Sequence, residues 1–321
     1  MLSHLKSVTI KNGILKSADS YTKKIASIYH KQGIIVLCST ILCSCVRWTK
    51  RFFREYIPMK LYALRADANG LVRWPVQDHI MMLNVTDTGI SRELLLYGVH
   101  EANSTRVVQE IIRPGMHVLE AGANVGYYAC MQAKLVGPTG HVYAVEPSPA
   151  NVSMLQRNIL ENGFTNMTVL QSAFGAEDGE QPFYVDRRSN LSSFVRRDDL
   201  GEYECIPMKI QSIDTYVADK KVDMIRMDVE GYEREILLGA KETLTTRPPL
   251  YFFIEVHSEL LAKRNSSTKE VCSYLQQYGY DIHIGFFRGR GDVVVKSMSE
   301  LFQHPQCEVG YWEIFFIHKN K

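Results

Sequence analysis

Four short clusters place carboxylates, small residues and one imidazole where an apolar run ends. Glu120-Ala-Gly-Ala-Asn-Val-Gly126 follows Val118-Leu119. Gly122 and Gly126 let the backbone turn sharply and let a ligand approach with no side chain in the way. The dinucleotide fingerprint G-x-G-x-x-G is absent, because Asn124 stands where its second glycine belongs. A pyrophosphate therefore has no particular claim on this loop, and Glu120 suits a cationic ligand group better. Glu146, in AVEPSPAN, ends the next run about 20 residues on, where an acid can accept bonds from both hydroxyls of a ribose. A ribose beside an uncharged or cationic group points to S-adenosylmethionine.

The other two clusters suit proton or cation chemistry. Asp228 and Glu230 end the run VDMIRMD-VE, and Gly231 opens the helical stretch after it. Two carboxylates at a strand tip are costly unless they bind a cation, take a proton or cap a helix. Asp228 as a helix cap is the plain alternative. The functional reading is contact with a methionine ammonium or a substrate hydroxyl. In FIEVH, Glu255 and His257 share one strand face, since alternate residues point the same way. His257 is a candidate general base, beside Asp228 and Glu230. A divalent cation on Asp228, Glu230 and Glu255 would be another way to acidify a hydroxyl. The spacing does not separate the two, and no metal is assigned.

The elements that must hold these groups alternate. Apolar runs at 117–121, 141–146, 167–171, 222–228 and 250–256 are separated by amphipathic stretches at 127–136, 148–162, 231–240 and 268–278. Such alternation predicts an α/β domain, a mostly parallel sheet with helices on both faces. The last two runs, 280–286 and 311–317, lack a long helix between them, so at least one should pair antiparallel at an edge. The expected organisation is a helical extension over 1–60 stopped at Pro58, a small strand-rich lead-in over 61–103, and a main domain over 104–321.

Composition narrows the class. The chain has 321 residues with 45% hydrophobic content, enough for a full core. Lys and Arg number 37 against 35 Asp and Glu. That balance argues against a nucleic-acid partner, which needs clustered excess cations. Seven cysteines, irregular and without a C-x-x-C pair, fit a reducing, cytoplasmic compartment better than zinc or disulfides. Residues 34–46 read IIVLCSTILCSCV between basic flanks, short of the roughly 20 residues of a helical span. Either this is a buried helix, or it lies on an anionic membrane surface as a peripheral contact.

Together, E-A-G-A-N-V-G-Y-Y, V-Y-A-V-E-P-S-P-A-N and D-V-E-G-Y-E-R-E-I-L-L-G-A resemble the FkbM-type S-adenosylmethionine-dependent methyltransferases, over about Ile90 to Glu255. Gly98-Val-His-Glu101 and Ser172-Ala173 also match; at position 120 that family commonly has Asp. The resemblance implies a Rossmann-like class I methyltransferase fold with a seven-stranded, mostly parallel sheet and an antiparallel C-terminal edge strand. It implies O-methylation of a hydroxyl on a sugar, glycolipid or other small-molecule acceptor. By similarity, Glu120, Gly122, Ala123, Asn124, Gly126 and Tyr127 would hold the methionine portion, with Glu101 nearby. Glu146 and Pro147 would meet the ribose, Ser172 and Ala173 the adenine edge, while Asp228 and Glu230 would face the reacting centre. The rivals are a nucleic-acid or protein methyltransferase on the same fold and a non-catalytic cofactor-binding or membrane-associated protein. A nicotinamide oxidoreductase is disfavoured by the glycine pattern.

Overall fold

The computed structural model describes residues 49, 52–186, 192–196, 203–289 and 293–319. The apolar stretch 34–46 lies outside them. No helix of the described residues is long and apolar enough to cross a membrane. Two compact units divide the chain, Met1–Leu61 and Tyr62–Lys321. A π-helical turn, Phe52–Tyr56, runs into the helix Ile57–Ala63. Pro58 does not stop this helix but sits in its first turn, where a missing N–H breaks no required bond.

In the second unit, β1 (Leu71–Val76) and β2 (His79–Asn84) form an antiparallel hairpin. Two short helices come next, Ile90–Tyr97 and Ala102–Ile111. The strands are then β3 (His117–Ala121), β4 (His141–Val145), β5 (Met167–Leu170), β6 (Ala173–Phe174), β7 (Gly179–Val185) and β8 (Glu204–Gln211). They continue as β9 (Met224–Met227), β10 (Tyr251–His257), β11 (Tyr280–Arg288), β12 (Val294–Val295) and β13 (Tyr311–His318).

The main sheet has the order β12-β11-β13-β10-β9-β3-β4-β5, while β6, β8 and β7 make a separate three-stranded sheet. From β5 to β10 all pairings are parallel. The inner strands are apolar because both faces are covered, and β9 is buried at every position, whereas the edge strand β5 is only partly buried. Each fully buried Val, Leu, Ile or Phe contributes about 1.5–3 kcal/mol. The class I architecture is therefore present, with the two-residue β12 as an eighth strand. The C-terminal strand is antiparallel as expected, yet it is not at an edge: β13 lies between β10 and β11 and pairs with both. The connection from β10 to β11 skips one strand position, and the last strand fills it.

After β3 the chain winds outward through β4 and β5, then returns to place β9 on the other side of β3. Ligands in open α/β sheets bind at such a reversal, beyond the carboxyl ends of the strands. The helix Pro149–Asn162 braces that crevice. Asn162 and Asn158, one turn apart, accept the Ile80 and Met82 N–H groups of β2 at 2.8 and 2.6 Å. The Asn158 amide also donates to the Val125 carbonyl at 2.8 Å. The hairpin edge, the helix and the glycine-bearing turn are thus tied into one support.

Candidate active site

The turn after β3 is shaped by close backbone approach. Gly122 has φ +83°, and a Cβ there would lie 2.0 Å from the Asp228 carbonyl oxygen. Its N–H and that of Ala123 donate to the Val145 carbonyl at 2.9 and 3.1 Å, and the Asp228 N–H donates to Ala121 at 3.1 Å. The tips of β3, β4 and β9 are thereby joined. Asn124 comes next at φ 51°, and its N–H donates to the Glu146 carboxylate at 2.8 Å. At Gly126, a Cβ would meet the Leu155 side chain at 2.5 Å, so this glycine serves helix packing.

A cleft opens beyond these tips. Gly122, Asn124, Glu146, Pro147, Ser172 and Ala173 line it, and Asp228 and Glu230 close one end. Phe174, Phe183 and Phe194 supply an apolar, aromatic part of its wall. The Ser172 hydroxyl itself donates to the Lys209 carbonyl at 2.9 Å. Glu146 accepts the N–H groups of Asn124 and Ser148 and the Asn151 amide. Burial pushes its carboxyl up to about 7, although those donors pull it down.

This carboxyl should give cofactor binding a pH dependence. Above about pH 7 the carboxylate can accept from two ribose hydroxyls; below it, a proton occupies one oxygen. Cofactor affinity should fall by roughly tenfold per pH unit below 7. Glu146→Gln should bind weakly with no such slope, as calorimetry from about pH 5.5 to 8.5 would report. Because the folded-state pKa lies above the unfolded one, this group's stability contribution is full at low pH. It declines as pH rises from about 4.5 to 7.

Glu120 is corrected by the structure. It is fully buried and lines neither this cleft nor its neighbour. Its cation is Arg226, whose Nη1 lies 2.5 Å from Oε1, and the Gln132 amide donates to Oε2 at 2.6 Å. Arg226 reaches Asp228 at 3.4 Å and stacks over Tyr128 at 3.8 Å. Burial works against the guanidinium charge, but Glu120 and Asp228 outweigh it and hold Arg226 protonated.

A second cavity shares Gly122, Asn124, Asp228 and Glu230 with the first. Ala123, Tyr127 and Glu101 line this one. Tyr127 turns its hydroxyl to Thr105 at 2.9 Å. Glu101 bonds Arg288 at 2.7 Å, Tyr128 at 2.9 Å and His100 at 2.8 Å. Burial opposes a charge on His100, but Glu101 and Glu93 outweigh it and raise its pKa to about 10. Burial likewise opposes ionisation of Glu101, and His100 and Arg288 more than reverse it.

His257 stands at the end of β10 and is 2% exposed. Its Nδ1 is 2.9 Å from Glu233, while Nε2 faces Glu230 at 3.5 Å and Glu255 at 3.7 Å. The structure thus brings Asp228, Glu230 and His257 together with Glu255. Burial disfavours an imidazolium, but the three glutamates raise the His257 pKa well above its ordinary value. In that arrangement it is a cation rather than a base. Asp228 does not cap the helix Glu233–Leu238, whose start lies five residues on.

Arg226, Arg288, His100 and Glu233 were not singled out from sequence. Arg226 had a readable signal: a charge inside the apolar run VDMIRMD must be paired if that run is a buried strand. Arg288 and Glu233 had none, since exposed strand-end and first-turn charges look the same.

Comparison with known proteins gives a consistent picture. Residues 120–282 match the model of the methyltransferase FkbM domain. A protein-L-isoaspartate O-methyltransferase of Methanothrix thermoacetophila is 46% identical over 59 residues, 18% of this chain and 28% of that protein. The chain therefore spans less than a third of that relative's length. The 2-O-methyltransferase NoeI of Sinorhizobium fredii is 23% identical over 211 residues, 60% of this chain and 84% of that one. A SAM-dependent methyltransferase structure from Aquifex aeolicus aligns with a TM-score of 0.37 at 20% identity, covering 67% of this chain and 88% of that chain.

Proposed function

We propose that this chain, a member of the FkbM methyltransferase family, is an S-adenosylmethionine-dependent methyltransferase that methylates a hydroxyl on a sugar or other small-molecule acceptor. The observation that carries this reading is the carboxylate pair at one end of the cofactor cleft. Asp228 and Glu230 line both cavities, so they lie where a bound acceptor would meet the cofactor. The 2-O-methyltransferase relative supports a hydroxyl acceptor.

The cleft fits the cofactor: Gly122 and Asn124 line it at the turn after β3, and Glu146 offers a carboxylate for the ribose. When bound, S-adenosylmethionine supplies an electrophilic methyl on a sulfonium. The chain's own groups position and deprotonate. Asn124, Glu146 and the aromatic wall orient the nucleoside, and orientation provides much of the rate. Asp228 or Glu230 accepts the acceptor's proton. A surplus of carboxylates over Arg226 and Arg288 also disfavours a polyanionic acceptor such as RNA.

The test is methyl transfer from labelled S-adenosylmethionine to separated glycan, lipid, protein and RNA pools. Label in glycan or lipid hydroxyls is expected, with about 10²-fold or greater loss in Asp228→Asn at retained cofactor affinity. Label confined to RNA or protein would overturn the reading.

A further inference from the structure

The second cavity is edged by a ligand set that the methyltransferase reading alone does not need. Asp228, Glu255 and His257 each offer one atom, and these three atoms all lie within 4.8 Å of one another. They come from the tips of β9 and β10, so the sheet itself brings them together.

Each carboxylate is anchored by an arginine through one oxygen. Arg226 takes Asp228 Oδ2 at 3.4 Å, and Arg288 takes Glu255 Oε1 at 3.1 Å. Among the described residues the second oxygen of each makes no hydrogen bond. Each carboxylate therefore keeps one oxygen for a ligand, while the Glu255 oxygen nearest His257 is the one Arg288 holds.

His257 is an independent observation. Glu233, itself fully buried, accepts from the His257 backbone N–H at 3.3 Å and meets Nδ1 at 2.9 Å. That contact fixes the ring and aims Nε2 at the carboxylates. The nearest oxygens to Nε2 lie at 3.5 and 3.7 Å, too long for good hydrogen bonds. Two ligands about 2.1 Å from one ion, at angles from about 90° to 120°, stand roughly 3.0 to 3.6 Å apart, so the 3.7 Å between Nε2 and Glu255 must shorten slightly on binding. A carboxylate bonded to the far nitrogen of an imidazole is also how proteins orient a histidine toward a metal.

We propose that Asp228, Glu255 and His257 bind one divalent cation beside the second cavity, with Glu233 as the positioning residue for His257. The proposal rests on the methyltransferase reading only for the cation's task, not for its binding. Two carboxylates and one imidazole, which gives up its Nε2 proton as the ion binds, suit Mn²⁺, between the oxygen preference of Mg²⁺ and the nitrogen preference of Zn²⁺. The open coordination positions would hold the acceptor hydroxyl and lower its pKa. The hydroxyl proton then passes to Glu230, whose carboxylate faces the same space, and the oxygen keeps the electron pair.

The experiment is a Mn²⁺ titration of the full chain followed by electron paramagnetic resonance, with S-adenosylmethionine calorimetry alongside. One Mn²⁺ per chain is expected. Glu233→Gln should weaken it about 10–100-fold, the usual effect of removing an outer partner, and Glu255→Gln should weaken it further. Both variants should keep cofactor binding, which reports that the cleft has folded. No Mn²⁺ bound at millimolar concentration, or equal binding by wild type and Glu255→Gln, overturns the cation site. Either result leaves methyl transfer standing if cofactor binding persists. Loss of cofactor binding with Mn²⁺ retained would overturn the methyltransferase reading instead.

Discussion

Arg226→Met is expected to destabilise the protein by about 3–5 kcal/mol, the usual cost of breaking a buried ion pair from one side. Arg226 is 3% exposed and bonds Glu120, which has no exposure at all. Methionine keeps much of the apolar contact with Tyr128 and Phe253, so the loss is chiefly electrostatic. Without the guanidinium, Glu120 keeps only the Gln132 amide. It must then stay charged in the core or take up a proton. Protonation is cheaper at low pH, so the penalty should grow as pH rises. Urea unfolding at about pH 5 and pH 8 measures both the size and the slope. Replacing both partners, Arg226→Met with Glu120→Gln, should recover much of the loss, because no buried charge is left alone. A single-variant cost below about 1 kcal/mol, the range of exposed pairs, would refute the pairing.

Gly122→Ala is expected to cost about 3 kcal/mol and at least roughly tenfold in cofactor affinity. Two penalties add. A positive φ strains any residue with a Cβ by about 1 kcal/mol. The methyl would also lie 2.0 Å from the Asp228 carbonyl oxygen and 3.0 Å from its carbon, so the tip of β9 must move. Overpacking of this kind costs about 1–3 kcal/mol. Gly163→Ala is the control: φ is +66° there, and nothing lies within 4 Å of the added carbon. It should show the strain alone and leave cofactor binding unchanged. Equal effects of the two substitutions, by thermal melts and calorimetry, would show that the close approach at Gly122 carries no weight.

These two residues show how much of the site could be read before the fold. Gly122, Asn124, Glu146, Asp228 and Glu230 were legible because strand tips in an α/β sheet lie on one edge, and polar residues ending apolar runs face that edge. Glu146 lines the cleft as expected. Gly126 reads from sequence as part of the ligand loop, but its contact is Leu155 across a helix packing. Spacing cannot tell a glycine that admits a ligand from one that admits a neighbouring side chain. Pro58 shows the same limit at a helix, since a proline stops or starts one according to which residues lie on either side.

The local pattern by itself determined the alternation of strands and helices, and with it the crevice and its polar rim. Periodicity and turn chemistry are properties of neighbours along the chain. It also determined that Glu120, ending a buried strand, needs a positive partner. Which partner was a matter of tertiary structure. Arg226 is 106 residues away in sequence but next to Glu120 across the β3–β9 pairing. The same holds for His257, whose role turns on Glu233 and Asp228, brought to it by two other elements. Strand order likewise came only from packing: β13 fits between β10 and β11 because a gap one strand wide was left there. Charges buried in a sheet are paired across strands, and cross-strand neighbours exist only once the chain has folded.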